Sequence, residues 1–264
     1  MNIFEFLISL EFFYWFMIGM LIIGASVFIA LFFTTAGYGQ HYQGKLKKVW
    51  GILGDVKSDK LGWIIMELPV FIVYLLFFLL GNHQDSVVTL LFSMLFLMHY
   101  GYRTFVFPIL IRGKHEMPWM IIIFGMIFNT ANAYLQGRWI NSIYRYELSW
   151  LFTPYFMIGI VLFFMGFIIH IHSDHIIRNL RKPGEDEFKI PYGGMFEYVS
   201  CPSYLGEITE WTGWAIMTWS LPGLVFALWT FFNLAPRARS NHNWYQKNFP
   251  NYPDDRKTLI PFVY

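Results

Sequence analysis

The chain carries six apolar runs, five of them close to one bilayer's thickness and one close to two, and few folds other than a membrane bundle can accommodate them. A crossing helix needs about 20 largely apolar residues. Such runs extend over Glu11 to Thr35, Leu61 to Leu80, Ser86 to Ile111, Met117 to Tyr134 and Ser149 to Ile169. The sixth, Tyr204 to Leu234, is too long for one crossing. Leu221-Pro222-Gly223 is its natural break, because proline removes a backbone donor and glycine relaxes the chain. The expected fold is therefore all-α: a polytopic membrane protein of seven transmembrane helices, with residues 1–264 forming one membrane domain. Met1 to Leu10 has no basic n-region, so no removable signal peptide is expected.

Composition agrees, with 56% hydrophobic and only 14% charged residues against roughly 25% charged in a soluble domain. The 21% aromatic content suits lipid-facing surfaces and interfacial belts. The single cysteine, Cys201, excludes a disulfide framework.

Seven crossings alternate the connecting segments between two sides, and the basic residues fall almost wholly on one. That side holds Lys45, Lys47, Lys48, Lys57, Lys60, Arg112, Lys114, Arg178, Arg181, Lys182, Lys189, Arg237, Arg239, Lys247, Arg256 and Lys257, sixteen in all; the other holds Arg138 and Arg145. The heavy side is expected to be cytoplasmic, with the N-terminus outside and the C-terminus inside. Merging the last two spans would move the five tail charges to the opposite side, a second reason for the break at Pro222.

Ionisable groups inside a span are costly and are candidates for function. At 1.5 Å per residue Glu67 lies about 9 Å from the cytoplasmic end of the second span, and Tyr100 and Arg103 about 16 and 12 Å from that of the third. His170 and His172 close the fifth span, and Glu207 and Glu210 open the sixth. All of these share the cytoplasmic half. Asn129 and Asn132 do not fit the cluster, and helix-to-helix hydrogen bonding explains them.

The alternation of His170, His172, Asp174 and His175 invites a metal reading, but nothing at a characteristic ligand spacing supports one, and no metal is expected. Arg178, Arg181 and Lys182 form a basic face that serves topology or binds an anion such as phosphate. No Gly-rich phosphate loop of a soluble nucleotide-binding fold is present, and no Ser-His-Asp relay is fixed by the pattern.

The C-terminal three quarters of the chain, from about Gly62 to Tyr264, resembles the steroid 5α-reductase family. The residues that carry the likeness are His99-Tyr100-Gly101-Tyr102-Arg103; His172-Ser173-Asp174 through Arg178-Asn179-Leu180-Arg181-Lys182-Pro183-Gly184; Ile190-Pro191-Tyr192-Gly193-Gly194; Leu205-Gly206-Glu207-Ile208-Thr209-Glu210-Trp211; Thr218 to Pro222; and Arg256 to Phe262. Before them only Gly37-Tyr38-Gly39-Gln40-His41 looks similar.

The resemblance implies a seven-helix bundle in which helices 1–4 mainly form a substrate cavity and residues 170–264, with the cytoplasmic loops, mainly hold NADPH. Glu67 and Tyr100 match the pair that bonds the 3-keto oxygen of a 3-oxo-Δ4 steroid drawn from the bilayer, while Trp63 and Met66 fall at the substrate. Cofactor contacts map onto Lys114, Asp174, Arg178, Arg181, Ser203, Glu207, Arg237, Asn241 and Tyr245. Met66 stands where the family usually has glutamine; Ser203 and Asn241 stand where relatives carry asparagine and histidine. The implied reaction delivers hydride to C5 while the pair stabilises charge on the carbonyl oxygen, a second donor being available if burial keeps Glu67 protonated. Without the resemblance, a direct bond between Glu67 and Tyr100 across two helices explains them equally well.

Membrane lipids are expected as neighbours, nucleic acid is not, and the chain is expected to act as a monomer. The rivals are a reductase of another enone or enoyl lipid, of enoyl-CoA or polyprenol type, and a non-enzymatic transporter, which should show two repeating halves with broken helices. No such repeat is visible. Membrane methyltransferases share a related helical fold, so cofactor binding calls for a direct test.

Overall fold

The computed structural model describes residues 9–112, 115–180, 185 and 187–264. Its architecture is helical, with α1 Leu10–Phe33, a short α2 Gly44–Trp50, α3 Asp59–Leu80, α4 Val87–Leu110, α5 Trp119–Arg138, α6 Pro154–Asn179, α7 Pro202–Thr218 and α8 Leu221–Asn248. Strand is confined to a two-residue pair, β1 Asp55–Val56 against β2 Met117–Pro118, antiparallel, which ties the segment before α3 to the segment before α5. Helices α1, α3, α4 and α6 are long and apolar enough to cross a membrane. Their outward faces carry Trp15, Ile22, Leu80 and Ile168, all well exposed, as a membrane protein requires where the solvent is lipid.

The helix ends follow ordinary chemistry. The side chains of Ser9, Ser58, Ser86, Thr153 and Ser220 each cap an N-terminus, accepting from a backbone N–H three residues on, and so satisfy a donor with no partner inside the helix. Three boundaries differ from the sequence expectation. The break in the last apolar run lies at Trp219, left-handed at φ 44°, and Ser220, not at Pro222. Pro222 sits in the first turn of α8, where its missing N–H is no loss. Helix α6 runs to Asn179 rather than stopping at Ile169, and α5 runs to Arg138 rather than Tyr134. Polarity ended the apolar runs, but helical hydrogen bonding continues past them.

The core is aromatic. Tyr74 stacks on Phe96 at 4.3 Å, and Phe92, Phe163, Trp211 and Trp214 close around them. Helices α6 and α7 approach most closely of all. A Cβ at Gly166 would fall on the backbone of Glu210 and Gly206, and one at Gly206 would lie 2.6 Å from the backbone nitrogen of His170. Small residues let two backbones pack without intervening side chains. The result is that His170 of α6 and Glu207 and Glu210 of α7 stand at one level.

Candidate active site

Four helices, α3, α4, α6 and α7, bring the buried ionisable groups together. In α4 the α-helical ladder gives way to a π-helical turn at Tyr102–Val106, a local widening of the helix often found at functional sites. Arg103 lies in that turn and points inward. Its Nε is 3.5 Å from Glu67 Oε1, its Nη1 is 3.2 Å from Glu207 Oε1, and its guanidinium lies over the Trp63 ring at 4.4 Å. His170 stands between two carboxylates, Nε2 3.2 Å from Asp174 Oδ2 and Nδ1 3.2 Å from Glu207 Oε1. Ser203 donates to Asp174 Oδ1 at 2.8 Å.

Glu67 and Tyr100 are each held by an amide of α5 rather than by one another. Asn129 Nδ2 donates to Glu67 Oε2 and to the Met66 carbonyl, both at 2.9 Å; Asn132 Nδ2 donates to the Tyr100 hydroxyl at 3.1 Å. Gln136 continues the row, donating to Asn132 Oδ1 at 3.3 Å and to the Pro222 carbonyl at 2.8 Å, and accepting from Trp214 Nε1. At i, i+3 and i+7 the three amides share one helix face. Asn129 and Asn132 do bond helix to helix, as expected; what is corrected is the expectation that they stand apart from the cluster, since their partners are the candidate catalytic pair. Trp211 stacks on the Tyr100 ring at 5.8 Å, and His99, bonded to Glu210 at 2.7 Å, meets the same ring edge-on.

A cleft of about 960 Å³ opens beside this cluster, walled by Tyr38, Gln40, Trp63, Phe107, Asp174 and Arg178. Trp63 Nε1 donates to the Tyr38 hydroxyl at 2.9 Å, and burial pushes the Tyr38 hydroxyl pKa up to about 12, so it stays a neutral phenol. Arg112 and Arg178 supply cationic lining.

The other expected site residues fall as follows. Met66 packs against Met117 and Ile122 and covers Gly125, between α3 and α5. Arg237 lies over the Tyr204 ring at 5.7 Å. Asn241 accepts from Gln40 Nε2 at 2.8 Å, its Oδ1 also meets His41 Nε2 at 2.8 Å, and its amide reaches Tyr204. Tyr245 stacks on Tyr252 at 5.3 Å. Lys114 and Arg181 lie outside the described residues. Arg103 and His170, expected among the buried ionisable candidates but given no specific role, and Asn129 and Asn132, expected to stand apart, complete the cluster. Their signal was an ionisable or amide group inside an apolar run.

A bundle of lipid-facing helices enclosing an acid, a phenol and a guanidinium beside a cleft defines a membrane protein with a buried polar reaction chamber. Comparison with known proteins sharpens this. The family model for 3-oxo-5-alpha-steroid 4-dehydrogenase matches residues 115–264. The chain is 45% identical over 207 residues to 3-oxo-5-alpha-steroid 4-dehydrogenase 1 of Rattus norvegicus, covering 76% of this chain and 78% of the relative. It is 42% identical over 204 residues to the Homo sapiens protein of the same name, covering 76% and 79%. With steroid 5-alpha-reductase DET2 of Arabidopsis thaliana it shares 39% identity over 262 residues, 96% of this chain and 97% of the relative. The chain belongs to the 3-oxo-5-alpha-steroid 4-dehydrogenase family, and with it to the oxidoreductases that act on CH–CH bonds.

Proposed function

We propose that the chain reduces the Δ4 double bond of 3-oxo-Δ4 steroids to 5α-reduced 3-oxo steroids with NADPH. The observation that carries this reading is the placement of Glu67 and Tyr100, each buried and each oriented by an α5 amide, with Glu67 one turn along α3 from the cleft-lining Trp63 and Tyr100 on the neighbouring α4.

An enone that accepts hydride at C5 pushes charge onto its carbonyl oxygen, and the barrier falls most where preorganised donors meet that charge. Asn132 donates to Tyr100, so the phenol's own proton is free to point away, toward a carbonyl. Asn129 donates to Glu67 Oε2, so a protonated Glu67 would carry its proton on Oε1, the oxygen 3.5 Å from Arg103 Nε. Charge balance favours such a proton. Arg103 and His170 in its charged form offer two positive charges to Glu67, Glu207 and Asp174, so neutrality in a medium of low dielectric needs one carboxyl protonated. A tyrosine and a protonated acid sharing an oxyanion is also the ketosteroid isomerase arrangement, a worked example of this chemistry.

The cleft's donors suit a dinucleotide phosphate. Arg112 and Arg178 present charge-assisted donors on the wall of the cleft beside Asp174. NADPH, when bound, supplies the hydride. Arg178, Ser203, Asp174, Glu207, Arg237, Asn241 and Tyr245 would hold it, and Lys114 and Arg181 would add phosphate contacts. The seven helices α1 and α3 to α8 then cross the membrane with the C-terminus and the cofactor side cytoplasmic, and the protein works as a monomer.

Incubation of detergent-purified protein with NADPH and a panel of 3-oxo-Δ4 steroids, with the product's configuration at C5 determined, tests the reading. A 5α product is expected. Turnover of enoyl-CoA or polyprenol-type lipids, with no steroid product, would replace it by the rival reductase.

A further inference from the structure

Helix α8 changes character in one step. To Ala235 it reads as a span, and from Pro236 it reads Arg237, Arg239, Ser240, Asn241, Asn243 and Lys247 among few apolar residues. Helix α1 packs along it, with Trp229 Nε1 donating to the Met20 carbonyl at 2.5 Å and Phe28 against Phe232 at 5.2 Å. It ends at Phe33, level with that change, because the Arg239 guanidinium lies over the Phe32 ring at 5.7 Å. Two packed helices therefore run out of apolar residues at the same height, which is where hydrocarbon gives way to headgroups.

At that height a groove of about 770 Å³ opens between them, distinct from the cleft. Leu31 and Phe32 give it an apolar wall, while Arg239, Ser240, Asn243 and Lys247 give it cations and neutral donors. No carboxylate among the described residues lines it. Among the described residues neither Arg239 nor Lys247 joins an ion pair, whereas Lys47, Arg103, Arg145 and Lys189 all do. Topology alone would account for two cations near the boundary. It does not account for a concave site in which a hydroxyl and an amide stand between them over an apolar wall.

We infer that this groove binds the phosphate headgroup of an anionic phospholipid, its acyl chains lying along Leu31 and Phe32. The shared chemistry is a phosphate, and lipid is preferred to free phosphate because the apolar wall adds contact that only an acyl chain can use. The groove and the cleft also share a wall. His41 lines the groove, Gln40 lines the cleft, and both meet Asn241 Oδ1 at 2.8 Å.

Purified full-length protein in detergent would be titrated with phosphatidylserine, phosphatidylcholine and inorganic phosphate, with binding read by native mass spectrometry and stability by thermal unfolding. Phosphatidylserine should bind on the order of tenfold more tightly than phosphatidylcholine, given two groove cations, and should raise the unfolding temperature as a native-state ligand does. Arg239→Gln with Lys247→Gln should abolish that preference. Should the pair fail to fold, Asn243→Asp, which sets a carboxylate among the cations on an exposed helix position, should do the same. Lys45→Gln with Lys48→Gln, exposed cations elsewhere, should leave it intact. Equal binding of the two lipids, equal loss in the Lys45/Lys48 control, or full stabilisation by inorganic phosphate alone would each overturn the assignment.

Discussion

Arg103 shows what a single residue can reveal before and after folding. Its depth in an apolar run was visible, yet the π-helical turn that swings it onto Glu67 and Glu207 has no sequence signature, since an α-helix and a π-turn share the same residues. Glu67 and Tyr100 were legible because an acid and a phenol deep in a span need partners; Asn129 and Asn132 were legible as polar residues, but their partners were not, because partner choice depends on the rotation of α5. If Tyr100 stabilises the oxyanion, Tyr100→Phe should lower kcat by about 10²- to 10³-fold with NADPH affinity nearly unchanged. Glu67→Gln keeps an N–H donor and should retain more activity than Glu67→Ala. Near-normal kcat in both Tyr100→Phe and Glu67→Ala would reduce the pair to a structural contact. Asn132→Leu removes the donor that orients the phenol and should cost about tenfold in kcat, less than losing the hydroxyl itself. A larger loss than Tyr100→Phe would show that Asn132 acts mainly on folding, which thermal unfolding of the same variant would reveal.

Elements carried more of the fold in sequence than residues did of the site, since each of the seven long helices coincides with an apolar run; the short, lysine-rich α2 Gly44–Trp50 does not, and several helix ends were misjudged. The ten residues from His170 to Asn179 illustrate the reason. Their polarity reads as a loop, but α6 continues through them because its inner face packs on α7 through Gly166 and Gly206, and tertiary contact outweighs local composition. Glycine spacing in the two helices was open to inspection; which glycines meet was not. Gly206→Ala should force the α6 and α7 backbones apart, destabilising the protein by about 1–3 kcal/mol and weakening NADPH binding through the displaced His170 and Glu207. Equal stability and cofactor affinity would show that α6 yields without consequence. Cys201, at the start of α7, is buried with its thiol pushed up to about 12 by desolvation. A thiol reacts as its thiolate, so maleimide should leave the native protein unlabelled near neutral pH and label it on denaturation.

For the whole molecule the question is which end of the bundle faces which compartment, and the geometry strengthens the charge argument while leaving it open to test. Of the two basic residues on the light side, Arg138 is buried, donating to the Tyr134 hydroxyl at 2.6 Å and the Ser9 carbonyl at 3.4 Å, and Arg145 is paired with Asp85 through two hydrogen bonds of 3.0 and 2.5 Å. Arg145 holds the Asp85 carboxyl below its usual range, so the pair stays neutral as a unit until pH falls through that lowered value. The two basic residues expected on the light side are thus buried or paired, in keeping with the sequence bias of basic residues, which orients membrane proteins with the heavy side in the cytoplasm. Because the Cys201 thiol is silent, a cysteine introduced at Gln84 and another at Gln246 can each be read against the natural background. In sealed right-side-out vesicles the first should react with a membrane-impermeant thiol reagent and the second should react only after permeabilisation. The reverse pattern would invert the orientation, and labelling of both from one side would mean an even number of crossings between them, so that one of the five helices α4 to α8 does not span.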